Sequence, residues 1–430
     1  MAAFPSVDLA RADNGALDNA SARPAPSRVR MIVVLGLLVA LGPLTIDMYL
    51  PALPSIADDL SVSSSVVQLT LTGTLAGLAI GQLIIGPLSD SLGRRKPLMA
   101  GIVLHMLASL VCLFAPDIVT LGIARALQGV GAAAGMVVAI AIVGDLFAES
   151  AAATVMSRLM QVLGAAPVIA PSLGAAVLLH ASWHWVFAAL VVLAGALLLL
   201  AALALPETLP REHRRPLKVR GIATTYRQLL SDGKFVILVL VGALGMSGLF
   251  AYIAAASFVL QGRYGLDQQT FALVFGAGAF AFIGATQFNV VLLKRFTPRT
   301  IVLWALVASA VVGVTFLGMA LAGVDGLAAF LIPVWLVLAA VGLVIPNTPA
   351  LALSRHPEAA GTSAALLGAA QFGLGAAVAP LVGVLGNDEL ALALVMAVCS
   401  VVALFALLAA GVTSDAGDDS DLVDAVAEPA

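Results

Sequence analysis

Residues 86–96 read Gly86-Pro87-Leu88-Ser89-Asp90-Ser91-Leu92-Gly93-Arg94-Arg95-Lys96, a short basic loop set between two long apolar runs. Each flanking run is long enough to cross a bilayer, so the chain must reverse at a membrane surface and leave its cations in water. Gly86, Pro87 and Gly93 supply the turn. Asp90 lies among the cations, where it either pairs locally or points at the positively polarised start of a neighbouring helix.

Working outward, 61% of the chain is hydrophobic and 10% charged. A soluble globule carries about 25% charged residues, so this composition excludes one and describes a multi-pass, all-α membrane protein. Apolar segments near 31–51, 67–87, 98–115, 118–143, 159–179, 183–205, 235–258, 270–293, 300–322, 328–351, 362–385 and 390–411 predict about twelve membrane helices. Of the 21 Lys and Arg residues, nineteen fall on one side if the N-terminus is cytoplasmic, leaving Arg263 outside and Arg125 within a span. Both termini are therefore expected in the cytoplasm, with the chain in the cytoplasmic membrane.

The chain divides into an N-terminal tail (1–30), a six-helix half (31–205), an Arg-rich cytoplasmic linker (206–234), a second six-helix half (235–411) and an acidic tail (412–430). The first tail has no apolar core and reads as flexible rather than as a cleavable signal. The last reads as a solvating run without a role of its own. In the second half, Lys294-Arg295-Phe296-Thr297-Pro298-Arg299 occupies the place of the opening motif, keeping the cations but losing its Asp and its two glycines. Cys112 and Cys399 sit in apolar runs as small buried hydrophobes. Nothing in the charge pattern supports nucleic-acid binding.

The spacing Gly86, Asp90, Gly93, Arg94, Arg95 between helices two and three resembles the signature of the major facilitator superfamily, with Ser91 where a base is usual. Ile46-Asp47-Met48-Tyr49-Leu50-Pro51-Ala52-Leu53-Pro54, Arg125-Ala126-Leu127-Gln128-Gly129 and Trp183-His184-Trp185-Val186-Phe187 narrow the likeness to the bicyclomycin/chloramphenicol-resistance (Bcr/CflA) drug:proton antiporters. Helix five keeps Pro167, Pro171 and Gly174 of the antiporter stretch but has Ala at several glycine positions, and Gly144 precedes Asp145 where relatives often have Arg. The resemblance implies two six-helix halves around a central cavity, alternating access, no cofactor, and a proton gradient as driving force. It also implies a monomer working on a small amphipathic compound. At the cytoplasmic gate Arg94 is expected to pair with Asp145, with Asp90 facing the start of helix eleven around Thr362 and Ser363 so that contacts between the halves hold the outward-facing state.

Two charges lie inside the spans, Asp47 and Arg125, each costing roughly 2.5–3.5 kcal/mol near a helix centre. At ~1.5 Å per residue both fall within ~10 Å of the same membrane boundary, which makes a direct or water-linked pair reasonable. Asp47 reads as the carboxylate that exchanges a proton against substrate, or as an interfacial Asp that merely ends helix one. Arg125 reads as its partner, or as a brace to carbonyls. Gln128, Asn347, Gln371 and Tyr252 are candidate cavity residues, while Gln287 and Asn289 read as helix glue. His180 and His184 lack a third ligand, so no metal site is expected. No Gly-x-x-x-x-Gly-Lys-(Ser/Thr) stretch is present, and one proton crossing ~100 mV supplies ~2.3 kcal/mol. Proton-coupled efflux of drug-like compounds is the leading expectation, with a proton-coupled importer as the alternative and a membrane sensor or enzyme further off.

Overall fold

The computed structural model describes residues 28–147, 149–214 and 219–409. The expected tails fall outside these residues, except that 28–30 already form helix, and 215–218 of the linker fall outside as well. Twelve helices are long and apolar enough to span a membrane. They are α1 (Arg28–Asp47), α2 (Ser64–Leu92), α3 (Arg95–Leu113), α4 (Ile118–Leu146), α5 (Glu149–Leu178) and α6 (His184–Ala204). After the linker come α7 (Gly233–Ser257), α8 (Gln268–Leu292), α9 (Pro298–Leu321), α10 (Leu327–Leu353), α11 (Ala360–Val384) and α12 (Glu389–Ala409). The linker is itself partly helical over Val219–Ser231.

Helix starts follow local chemistry. Ser63, Asp117, Asp232, Asp267 and Thr297 each accept hydrogen bonds from first-turn amides of the helix that follows, satisfying donors a helix cannot pair internally. The turn at residues 93–94 depends on Gly93, whose φ of +91° disfavours a side chain. A Cβ there would also lie 2.4 Å from a carboxylate oxygen of Glu207.

Packing within the bilayer rests on small residues, because lipid tails give apolar helices no reason to associate beyond close fit. A Cβ on Gly77 would sit 2.0 Å from the Ala126 carbonyl oxygen, and one on Gly129 would sit 2.1 Å from that of Thr74. Helices α2 and α4 therefore touch backbone to backbone. The pairings α2/α4, α3/α6 and α1/α5 recur six helices later as α8/α10, α9/α12 and α7/α11, the sign of a repeated half. Across the molecular centre, α2 packs on α11 and α5 on α8.

The face carrying the α2–α3 loop is called the basic face below. The halves are tied together near the opposite, far face. There Ser257 Oγ donates to the Leu50 carbonyl at 2.6 Å, and Ser65 Oγ donates to that of Gly383 at 2.7 Å. Gln68 Nε2 donates to the Ala254 carbonyl at 2.9 Å, and Gln269 Nε2 to that of Ala175 at 3.0 Å. Toward the basic face, Gln161 of α5 and Gln287 of α8 are both exposed.

Candidate functional site

Asp47 is the last residue of α1, where the chain turns into a short 3-10 segment at Leu50–Ala52. Its side chain is 3% exposed, and Oδ1 is buried without a hydrogen-bond partner. The adjoining turn is held by α5. A Cβ on Gly174 would fall 2.0 Å from the Met48 carbonyl oxygen, so only glycine lets α5 lie against the residue after Asp47. Pro167 and Pro171 lie within the same helix.

Arg125, on α4, is fully buried. Its Nη1 donates to the Thr45 carbonyl at 3.0 Å and to Gln128 Oε1 at 2.8 Å, while Nε and Nη2 are buried without partners. The guanidinium carbon lies 4.4 Å from the Tyr49 ring centroid and 5.8 Å from that of Phe187, a cation–π arrangement that partly replaces lost hydration. The expected Asp47–Arg125 pair is not formed in this conformation. Similar depth does not fix azimuth, and the guanidinium is turned toward Thr45, two residues short of Asp47.

Around Arg125 runs a polar chain that sequence reasoning caught only in part. Thr45 Oγ1 donates to the Leu41 carbonyl at 2.6 Å, so it accepts from His105 Nε2 at 2.8 Å. Ser109 Oγ donates to the His105 carbonyl at 2.7 Å and accepts from Gln128 Nε2, also at 2.7 Å. Gln128 therefore has both ends engaged inside the half and faces no open cavity. His105 is fully buried and joins α3 to α1. Its intramembrane position was the available signal. Thr70 Oγ1 donates to the Val67 carbonyl, so the 2.5 Å contact with Tyr49 has the phenol as donor, which fixes the ring beneath Arg125.

At the basic face, Arg94 Nε and Nη2 grip Asp145 at 2.8 and 3.2 Å, the pairing expected. Nη1 donates to Ser89 at 3.0 Å and to Asp90. Asp90 thus pairs one turn along its own chain rather than facing Thr362 and Ser363, and Ser363 Oγ has no hydrogen-bond partner. Glu207, missed in the sequence, accepts from the Arg94 and Arg95 amides at 2.7 and 3.4 Å, and Arg95 Nη2 donates to the Ala202 carbonyl at 2.6 Å. Gly86, by contrast, has only ordinary contact beside it, with Val137 at 3.9 Å.

The second half has its own basic-face pair. Arg355 Nε and Nη2 donate to Asp232 at 2.8 and 3.2 Å, and His356 Nε2 approaches it at 3.0 Å. Burial works against the Asp232 charge, but hydrogen bonds from Arg355 and the Phe235 amide, the Arg355 charge and His356 outweigh it. They hold the carboxyl at about 2 rather than 3.8.

The interior of the second half is neutral. Asn347 Nδ2 donates to Asn289 Oδ1 and to the Leu343 carbonyl, both at 2.7 Å, so it ties α10 to α8. Gln371 is half-buried, and its Nε2 would lie 3.6 Å from a Cβ on Gly242. Tyr252 is buried and stacked on Phe275, with centroids 5.4 Å apart. Its hydroxyl and Trp335 Nε1 face each other and converge on Gly278, where a Cβ would lie 3.4 and 2.8 Å away. Trp335 is a second residue that sequence reasoning missed. His184 stacks on Trp183, with ring centroids 3.7 Å apart.

Twelve membrane-length helices in two six-helix halves facing each other are the architecture of a membrane transporter. The sequence model of the Major Facilitator Superfamily matches residues 35–380, and the chain belongs to that superfamily. It is 40% identical to the MFS-type transporter YdgK of Bacillus subtilis (strain 168) over 382 residues, covering 87% of this chain and 94% of the relative. It is 32% identical to a bicyclomycin resistance protein homolog of Haemophilus influenzae (strain ATCC 51907 / DSM 11121 / KW20 / Rd), again covering 87% and 94%. The expected likeness to the Bcr/CflA branch is borne out by that relative. The xylose transporter XylE from E. coli, in a partially occluded inward-open conformation, shares the fold, with a TM-score of 0.69 at 14% identity over 88% of this chain and 96% of that one.

Proposed function

We propose that this transporter exports a small amphipathic compound across the cytoplasmic membrane in exchange for protons, with Asp47 as the proton carrier. One observation carries the reading: Asp47 Oδ1 and the Arg125 Nε and Nη2 groups are buried in the same half with no partner. An unpaired polar group in a low-dielectric site is costly, so such a set suits a device that is completed in another state or by a proton or ligand. The net charge of the site then depends on whether Asp47 holds its proton. Arg125 keeps its own charge and supplies the partner for the ionised form.

The basic face is taken as cytoplasmic because of where Lys and Arg fall, which also places both termini there. Hydrogen bonds between the halves near the far face support a conformation closed to the outside. Release of those contacts and closure around the Arg94–Asp145 cluster would give alternating access by rocking of the two halves. Gln371 and Trp335, both partly exposed, offer the substrate an aromatic surface with a polar group, backed by the buried Tyr252, the chemistry of a pocket for amphipathic molecules.

The test uses proteoliposomes carrying an imposed pH gradient and a panel of amphipathic cations and neutral compounds. The parent protein is expected to move at least one of them uphill. Asp47→Asn is expected to abolish gradient-driven movement while leaving downhill exchange measurable. Uphill transport by Asp47→Asn equal to the parent's would overturn the assignment.

A further inference from the structure

Away from the central site, the outer surface formed by α8, α9 and α10 has an apolar groove of about 540 Å³. Its floor is shallow because Ala285, Ala305, Ala308, Ala339 and Ala340 carry only methyl groups, while Phe288, Phe296 and Trp304 form its walls. Those three rings are 54%, 51% and 67% exposed, on a surface that faces lipid. From Thr300 to Ala308 the α9 side of the groove rises about 12 Å, so it occupies the leaflet next to the basic face.

The end of the groove nearest that face is cationic. Phe296 and Thr300 line it, and they alternate along the chain with Arg295 and Arg299, with Lys294 one residue earlier. None of the three cations forms an ion pair among the described residues. Arg299 Nη2 is buried and donates to nothing. The same turn is the start of α9, whose positive end adds to the local potential. A positively charged rim at headgroup depth above an acyl-sized apolar trough has one complementary occupant in a bilayer.

We propose that this groove binds an anionic phospholipid, with an acyl chain against Trp304 and Phe288 and the headgroup phosphate at Lys294, Arg295 and Arg299. This site is separate from the substrate path, although α8 contributes to both. The orientation proposed above enters only in naming the leaflet that supplies the lipid. A juxtamembrane cation is worth about fivefold in binding to an anionic surface, so three around one headgroup are expected to give at least about tenfold preference over a zwitterionic lipid.

The test is fluorescence quenching of the intact protein in nanodiscs by phosphatidylglycerol or phosphatidylcholine bearing brominated acyl chains. The difference between the parent and Trp304→Phe isolates the groove signal. Half-maximal quenching is expected at about a tenth of the mole fraction for the anionic lipid, with the preference lost in a Lys294→Gln, Arg295→Gln, Arg299→Gln triple variant. Arg299→Gln alone is expected to reduce it severalfold, which keeps the proposal testable if the triple variant does not assemble. Equal quenching by the two lipids in the parent, or an unchanged preference in the variants, would overturn it. Because the readout needs neither substrate nor a proton gradient, failure here is distinguishable from failure of the transport mechanism.

Discussion

The two halves share one helical plan but carry different interiors. In the first half, Asp47, Arg125 and His105 are buried, and a chain of hydrogen bonds through Arg125 and His105 links α1, α3 and α4. In the second, the corresponding interior holds Asn289 with Asn347, Ser309 with Ser400, and an aromatic cluster around Tyr252. Among the described residues, the buried Asp, His and unpaired Arg side chains within the spans lie in the first half, whereas the buried acid of the second, Glu389, sits at the very start of α12 beside Arg263. The proposed mechanism accordingly gives proton handling to the first half and apolar recognition to the second.

The largest expected effect comes from one of the tightest contacts in the first half. Gly174→Ala places a methyl group 2.0 Å from the Met48 carbonyl oxygen, which must push α5 off the end of α1. Transport is expected to be lost, with a large drop in melting temperature of the solubilised protein. Gly144→Ala meets open space and is expected to match the parent in both measurements. Equal behaviour of the two variants would break the claim that α5 positions the Asp47 turn.

Next in size is the comparison of Arg125→Ala with Asn347→Ala. The arginine makes two charge-assisted hydrogen bonds and two ring contacts, so its loss is expected to cost about 3 kcal/mol or more of stability and all coupled transport. The asparagine ties two helices with neutral bonds worth about 1 kcal/mol each, and its variant is expected to retain proton coupling. Denaturation of the solubilised protein together with proton-coupled uptake separates the two. Coupling lost in Asn347→Ala would erase the proposed division of labour.

The smallest effect concerns the basic-face pairs, one in each half. Because the folded Asp232 carboxyl is held at about 2 against 3.8, its pairing stabilises the fold fully above the ordinary value and is lost as pH falls through about 2. Asp232→Asn is therefore expected to lower the stability at pH 7 by about 1 kcal/mol or less, seen as a slightly lower melting temperature, with the difference closing toward pH 2. A gap that widens on acidification would show that the ion pair is not its source.

Much of the fold was legible because its signals are local. The basic loop at 86–96 and the run lengths give the number of helices, and the Arg94–Asp145 pair was expected from the loop. Sites built from separate helices were less legible. Asp47 and Arg125 can be placed at one depth from sequence, but helix rotation decides whether they touch, and Arg125 turns to Thr45 instead. Asp90 found its partner close in the chain, because the turn at Gly93 brings Arg94 back against the last turn of α2, within reach of Ser89 and Asp90. Glu207 looked like part of a solvated linker, since nothing local shows that it folds back over Gly93. Trp335 read as one more apolar residue until Tyr252 was set beside it across Gly278.

The central claim is that one carboxylate in the first half gives up a proton when substrate binds. The direct measurement is proton release by detergent-purified protein on addition of a transported compound, followed with a pH indicator in weak buffer near neutral pH. The parent is expected to release about one proton per protein, and Asp47→Asn is expected to bind the compound and release none. Release from Asp47→Asn equal to that of the parent would contradict the account.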